Sequence, residues 1–165
     1  MGETIGGSVT IRNRTELPQS PRFAEDFWVK TVAVPVSSTS EPNRIAKILV
    51  AEDEELVLAL FQAILKKAGF DLVCASTGNQ AAAFFDAAQD SFDLVITDLS
   101  LPGMNGEALA AHVRKARPDI KIIFSTGNIT DEPHQAVQRF NGAIFLPKPF
   151  GFEELVAIVN KALQD

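Results

Sequence analysis

The chain has 165 residues, 46% of them hydrophobic and 22% charged, which provides for one domain with a buried core plus an appendage and is too short for two full domains. Twenty-one acidic against fifteen basic residues leave a net charge of -6, a balance that opposes the phosphate attraction behind nucleic-acid binding. Direct contact with DNA or RNA is therefore not expected, and the single cysteine, Cys74, excludes an intrachain disulfide framework and a cysteine-rich metal site.

Residues 1–45 hold five basic and five acidic residues and residues 46–165 hold ten and sixteen, so the whole excess (10 − 16 = −6) belongs to the second segment. The start, MGETIGGSVTIRNRTELPQ, lacks the apolar stretch of a secretory signal, and no apolar run is long enough to span a membrane. With one cysteine, this fits a reduced, cytoplasmic protein. Ser8 to Asn13 reads as a short strand, and Ser20-Pro21 as the cap and first turn of a helix carrying Phe23, Phe27 and Trp28. Those aromatics could pack on the rest of the chain, join a partner or form a homodimer. The Ser/Pro stretch from Pro35 to Asn43 reads as a linker. An N-terminal extension and linker over 1–45 and a main domain over 46–165 follow.

In that domain, apolar runs alternate with helical patterns. Lys47 to Ala51, Phe70 to Ala75, Phe92 to Thr97, Ile120 to Phe124 and Ala143 to Leu146 are rich in β-branched residues without alternation, as in strands buried on both faces. After the first, Val57, Leu60, Phe61, Ile64, Leu65 and Ala68 form one helical stripe, which Gly69 ends. Thr77 to Gln80 reads as a capping box for a second helix, Asn105 as the cap of a third, and Asp131 with Pro133 as the opening of a fourth. Leu155, Ile158, Val159, Ala162 and Leu163 mark the last helix. Five strand-helix units imply an α/β fold, a doubly wound five-stranded parallel sheet with helices on both faces. Its chemistry belongs at the carboxyl ends of the strands.

The first strand ends in Glu52-Asp53-Glu54-Glu55, the third in Asp98, the fourth in Ser125-Thr126-Gly127, and the fifth leads into Pro147-Lys148-Pro149. If strands one and three are neighbours, Glu52, Asp53 and Asp98 converge, and three carboxylates repel one another unless a cation joins them. Hard oxygen ligands point to Mg2+. Taken singly, each residue has an ordinary explanation: acids complement a helix dipole, Asp98 and Thr126 stabilise turns, Lys148 is a surface lysine. Their joint occurrence after successive core strands is not explained that way.

The runs ILVAEDEE, FDLVITDLSLPGMNG, IIFSTGN and FLPKPF, in this order, resemble the response-regulator receiver domains of two-component and phosphorelay signalling over residues 46–165. The resemblance implies strand order 2-1-3-4-5 and a phosphoryl-accepting aspartate at the position of Asp98. It further implies Mg2+ held by Asp53, Asp98 and the backbone carbonyl of Ser100, with Glu52 acting on the metal directly or through a water ligand, and with Thr126 and Lys148 contacting the phosphoryl oxygens. The family often has aspartate where Glu52 stands. A cis Lys148-Pro149 bond is implied, as is a switch in which Thr126 moves toward the phosphoryl group and Phe145 swings inward. Phenylalanine lacks the hydroxyl of a tyrosine, so a hydrogen-bonded latch is not available. The implied function is a phosphorylation-dependent switch charged by a histidine kinase or histidine phosphotransfer protein, acting on a downstream protein or relaying the phosphoryl group. It is not an enzyme beyond self-phosphorylation from a donor and self-dephosphorylation. The chain leaves no room after its last helix for a DNA-binding output domain, so output through protein contacts is expected.

Other classes fit less well. Ser-Thr-Gly-Asn, at 76–79 and 125–128, resembles a flavodoxin phosphate loop but follows the wrong strands, and acids after strand one would repel a flavin phosphate. His112 and His134 lack an i, i+4 partner for a metal site. A haloacid-dehalogenase-type phosphatase needs a second aspartate two residues after its nucleophile, where Ser100 stands. A degenerate receiver serving only as a protein-interaction scaffold is the alternative, and retention of Asp53, Asp98, Thr126 and Lys148 argues against it.

Overall fold

The computed structural model describes residues 44–127 and 138–164. The expected N-terminal strand and helix, the linker, Asp131, Pro133, His134 and any dimer contact through Phe23, Phe27 or Trp28 lie outside the described residues.

In chain order the elements are β1 (Lys47–Ala51), α1 (Glu55–Lys67), β2 (Asp71–Ala75), α2 (Gly78–Ala87), a 3-10 turn (Gln89–Ser91), β3 (Leu94–Asp98), α3 (Gly106–Ala116), β4 (Lys121–Thr126), β5 (Ile144–Pro147) and α4 (Phe152–Gln164). The strands form one parallel sheet in the order β2-β1-β3-β4-β5, as the resemblance implies. Among the described residues, no helix is long and apolar enough to cross a membrane.

The missing alternation in the strand sequences has its cause in two cores. Leu49, Val95, Ile122 and Phe124 pack with Phe85, Leu109 and Val113 of α2 and α3. Their chain neighbours Ile48, Val50, Leu94, Ile96 and Ile123 pack with Phe61, Leu65, Leu155 and Val159 of α1 and α4. Successive side chains point to opposite faces of a strand, so a sheet covered twice must be apolar at every position. Phe61 and Phe150 bring their rings to 4.7 Å, tying α1 to the loop after β5.

The helix boundaries follow from local hydrogen bonds. At α1 the chain reverses at Gly69, with φ +91, where Gly69 N donates to Lys66 O and Phe70 N to Leu65 O; a side chain there would be strained. Thr77 Oγ1 accepts from Gln80 N at 3.2 Å, whereas Gln80 Oε1 accepts from Ser76 N rather than from Thr77. The expected capping box is thus closed one residue early. Asn105 Oδ1 accepts from Ala108 N at 2.8 Å and caps α3.

Two expectations shift. Phe70, Phe92, Ile120 and Ala143 precede their strands, and β4 runs on through Thr126. Leu60, assigned to the buried stripe of α1, is 42% exposed. The inward arc of α1 centres on Phe61, Ile64 and Leu65, which turns Leu60 toward its edge.

Candidate functional site

Register delivers the acids to one place. Ala51 pairs with Thr97 across β1 and β3, and Asp98 pairs with Ser125 across β3 and β4. The next residue of β1's chain, Glu52, therefore emerges beside Asp98. Glu52 N donates to Ala75 O at 3.0 Å, which extends the β1–β2 ladder by one step and holds Glu52 at the carboxyl edge. Glu52 and Asp98 are buried at 1% and 6% exposure, while Asp53 is exposed. One carboxylate oxygen from each of Glu52, Asp53 and Asp98 lies within 4.8 Å of the others.

Lys148 reaches this group from β5. Its own N–H donates to Thr126 O at 2.9 Å, fixing the backbone beside β4, and the bond to Pro149 is cis, as expected. The Nζ donates to Asp98 Oδ2 at 2.5 Å and forms an ion pair with Glu52 Oε2 at 2.7 Å. Glu54 Oε1 stands 3.9 Å away, a third carboxylate within reach of the ammonium. Thr126 is buried at the end of β4.

The electrostatics follow from one ammonium among several acids. Burial in low dielectric pushes the Glu52 carboxyl above its ordinary value of 4.5; contact with Lys148 pulls it down, and the nearby Asp98 charge pushes it up again. Burial would lower Lys148, but its hydrogen bond to Asp98 and its ion pair with Glu52 outweigh this and hold it above its ordinary 10.5. An isolated ion pair would lower the acid and raise the base. Here one positive charge is divided between two buried carboxylates, so the base is stabilised while Glu52 stays under-compensated.

The same imbalance tests the site for a divalent cation. Glu52 Oε2 is buried, and no donor among the described residues gives it a well-directed hydrogen bond, although Lys148 supplies charge at 2.7 Å. A buried acceptor with an unused lone pair, next to two further carboxylate oxygens, is the hard-donor arrangement that suits Mg2+. Glu52, Asp53 and Asp98 fit that role.

The loop after Asp98 completes the site. Ser100 N donates to Asp98 Oδ1 at 2.8 Å, so both acceptor oxygens are engaged, one by Ser100 and one by Lys148. Gly106 was not foreseen: a Cβ there would stand 2.1 Å from Asp98 O, and its N–H donates to Leu99 O at 3.1 Å. The glycine in LPGMNG was the available signal. Phe145 pairs in register with Phe124 on β5 and is half-buried. His112 lies away from the acids, bonded to Asp86 across α3 and α2 at 2.8 Å.

Comparison with known proteins agrees with this geometry. The family described as "Response regulator receiver domain" matches residues 48–160. The response regulator receiver protein CpdR of Brucella abortus is 32% identical over 117 residues, covering 71% of this chain and 96% of CpdR. The DNA-binding transcriptional regulator NtrC of Azospirillum brasilense is 37% identical over 120 residues, covering 72% of this chain but 24% of NtrC, so the chain spans about a quarter of the length of that relative. Among solved structures, a response regulator receiver domain protein from Clostridium thermocellum superposes with TM-score 0.68 at 28% identity, covering 73% of this chain and 95% of that one. Chemotaxis protein CheY4 of Vibrio cholerae gives 0.67 at 26% identity, covering 73% and 100%. With matching sequence, strand order and converging acids, the chain belongs to the receiver domain family of two-component response regulators.

Proposed function

We propose that Asp98 accepts a phosphoryl group from a histidine kinase or histidine phosphotransfer protein, and that the phosphorylated form signals through a downstream protein or passes the group on. The observation carrying this reading is the convergence of Lys148 Nζ and the Glu52 and Asp53 carboxylates on the Asp98 carboxylate.

A carboxylate oxygen of Asp98 attacks phosphorus as the bond from phosphorus to the donor imidazole nitrogen breaks; that nitrogen keeps the electron pair. Asp53, Asp98 and the Ser100 carbonyl would hold Mg2+, with Glu52 acting directly or through a water ligand, and the ion would supply positive charge against the phosphoryl oxygens. Lys148 is already aimed at Asp98 Oδ2 and can turn from it to a phosphoryl oxygen. The Thr126 hydroxyl and adjacent backbone N–H groups offer neutral donors. Water later cleaves the mixed anhydride, releasing inorganic phosphate and restoring the carboxylate. In this reading the protein turns over no other substrate and works in the cytoplasm, with its phosphoryl donor.

The same chemistry gives a switch. Drawing Thr126 toward a phosphoryl group opens space into which Phe145 turns, shifting the surface offered by β5. The N-terminal boundary of α1 offers the donor a surface: Leu56 is 87% exposed, and Val57, Leu60, Pro149 and Phe150 line a groove that includes Lys148.

Incubation with acetyl phosphate and Mg2+ tests the acceptor. Wild type becomes labelled, and chelation of the metal or Asp98→Asn abolishes the label. Equal labelling of Asp98→Asn overturns the assignment of the acceptor, and an unlabelled wild type leaves a binding scaffold.

A further inference from the structure

Ser76-Thr77-Gly78-Asn79 repeats the tetrapeptide that begins at Ser125, yet it contributes nothing to the acid cluster. Its place in the fold gives it another task. Gly78 is the buried first residue of α2, and a Cβ built on it would stand 1.9 Å from the Met104 carbonyl oxygen and 2.8 Å from the carbonyl carbon. Asn79 carries its Nδ2 to 2.9 Å from the Cβ position of Gly103, which has φ +78. The start of α2 and the β3–α3 loop therefore meet closely at two successive residues, with no room for a larger group at Gly78.

That loop carries Ser100, whose N–H holds Asp98 Oδ1 at 2.8 Å. Leu101 is buried and Met104 packs against the core of α2 and α3, so the loop has little freedom to yield separately. At its far end Gly106 lies against Asp98 O. The loop is pinned at Asp98, at Leu101 and at the start of α2.

The geometry points to Gly78 and Asn79 as positioning residues for phosphoryl acceptance: they seat the loop of residues 99–105 so that Ser100 is held against the acceptor carboxylate. This rests on the reading of Asp98 as phosphoryl acceptor. To bring a Cβ at Gly78 from 1.9 Å to even 3.0 Å from Met104 O, helix and loop must part by about 1 Å, a displacement that can cost on the order of 100-fold in a reaction dependent on alignment. Such a shift would move the Ser100 N–H and carbonyl together.

The test uses the full chain and compares Gly78→Ala, Asn79→Ala and Val159→Ala. Val159 is buried against the other face of the sheet and serves as a control for lost stability alone. Mg2+ affinity is measured by calorimetry and the initial labelling rate with acetyl phosphate at several Mg2+ concentrations. Gly78→Ala should label on the order of 100-fold more slowly with weakened Mg2+ binding, and exposed Asn79→Ala should show a smaller loss of the same kind. Val159→Ala should melt at lower temperature yet keep wild-type Mg2+ affinity. Wild-type labelling and affinity in both loop-seat variants overturn the proposal, as does an equal loss of affinity in Val159→Ala. If Gly78→Ala does not fold, Asn79→Ala decides. A wild type that neither binds Mg2+ nor labels removes the acceptor reading itself, and this role with it.

Discussion

Lys148 and Asp98, fifty residues apart, meet at 2.5 Å between Nζ and Oδ2, with Glu52 Oε2 2.7 Å from the same ammonium. The site is thus held together by a cation of the protein's own, which must be shared again when a phosphoryl group arrives.

Lys148→Met should retain the fold and lose labelling. Removing one preorganised donor to a developing anion typically costs on the order of 100-fold or more in rate. Initial rates with acetyl phosphate at saturating Mg2+ check this; a rate within about three-fold of wild type would show that the ammonium does not contact the transferred group.

Stability should fall in the alkaline range through the same lysine. Lys148 is held above its ordinary 10.5 by Asp98 and Glu52; the folded state keeps the proton more tightly than the unfolded state does. Its contribution is fully present below 10.5 and is lost as pH rises through the folded value. The chain has no tyrosine to titrate in this window. Cys74, whose thiol is pushed above 9.0 by burial, adds a loss of the same sign, so a Cys74→Ala background isolates the lysine. Urea melts at pH values from about 9 to 11 should show a slope that Lys148→Met flattens.

Glu52→Gln should separate stability from metal affinity. The raised pKa means that the folded state resists ionising Glu52, so its unfavourable contribution begins as pH rises above 4.5 and is complete once pH has passed the folded value. The amide removes that buried charge and leaves Lys148 paired with Asp98. Metal-free protein at neutral pH should become more stable, while Mg2+ binding weakens by roughly 10-fold. Paired chemical melts and calorimetric titrations read both effects; tighter Mg2+ binding by the variant would exclude Glu52 from the metal's surroundings.

Leu56→Ala should distinguish small from macromolecular donors. At 87% exposure the side chain contributes little to folding, so melting should stay within about 0.5 kcal/mol of wild type. Labelling by acetyl phosphate should be unchanged. Transfer from a phosphorylated histidine kinase should slow several-fold, because burial of an exposed leucine in an interface is worth about 1.5 to 3 kcal/mol when complete. An unchanged transfer rate would move the donor's contact away from α1.

The amino-acid sequence by itself determined the kind of sheet and which polar side chains stand at its carboxyl edge. Apolar strands without alternation require cover on both faces, and acids, a hydroxyl and a lysine placed after successive strands must reach the same edge. Those are properties of chain order and periodicity, readable before folding. Tertiary structure decided what depends on angle and on contacts between distant segments. Leu60 leaves the buried stripe because the inward arc of α1 centres on Phe61, Ile64 and Leu65, and Gln80 bonds Ser76 rather than Thr77. Lys148 divides its charge between Asp98 and Glu52, which no spacing along the chain reveals. The clearest case is the repeated Ser-Thr-Gly-Asn: the two copies are alike as sequence, but one ends β4 with Thr126, whose carbonyl accepts from Lys148 N, and the other places Gly78 against Met104. A tetrapeptide sets local conformation only; the neighbour packed against it sets its task.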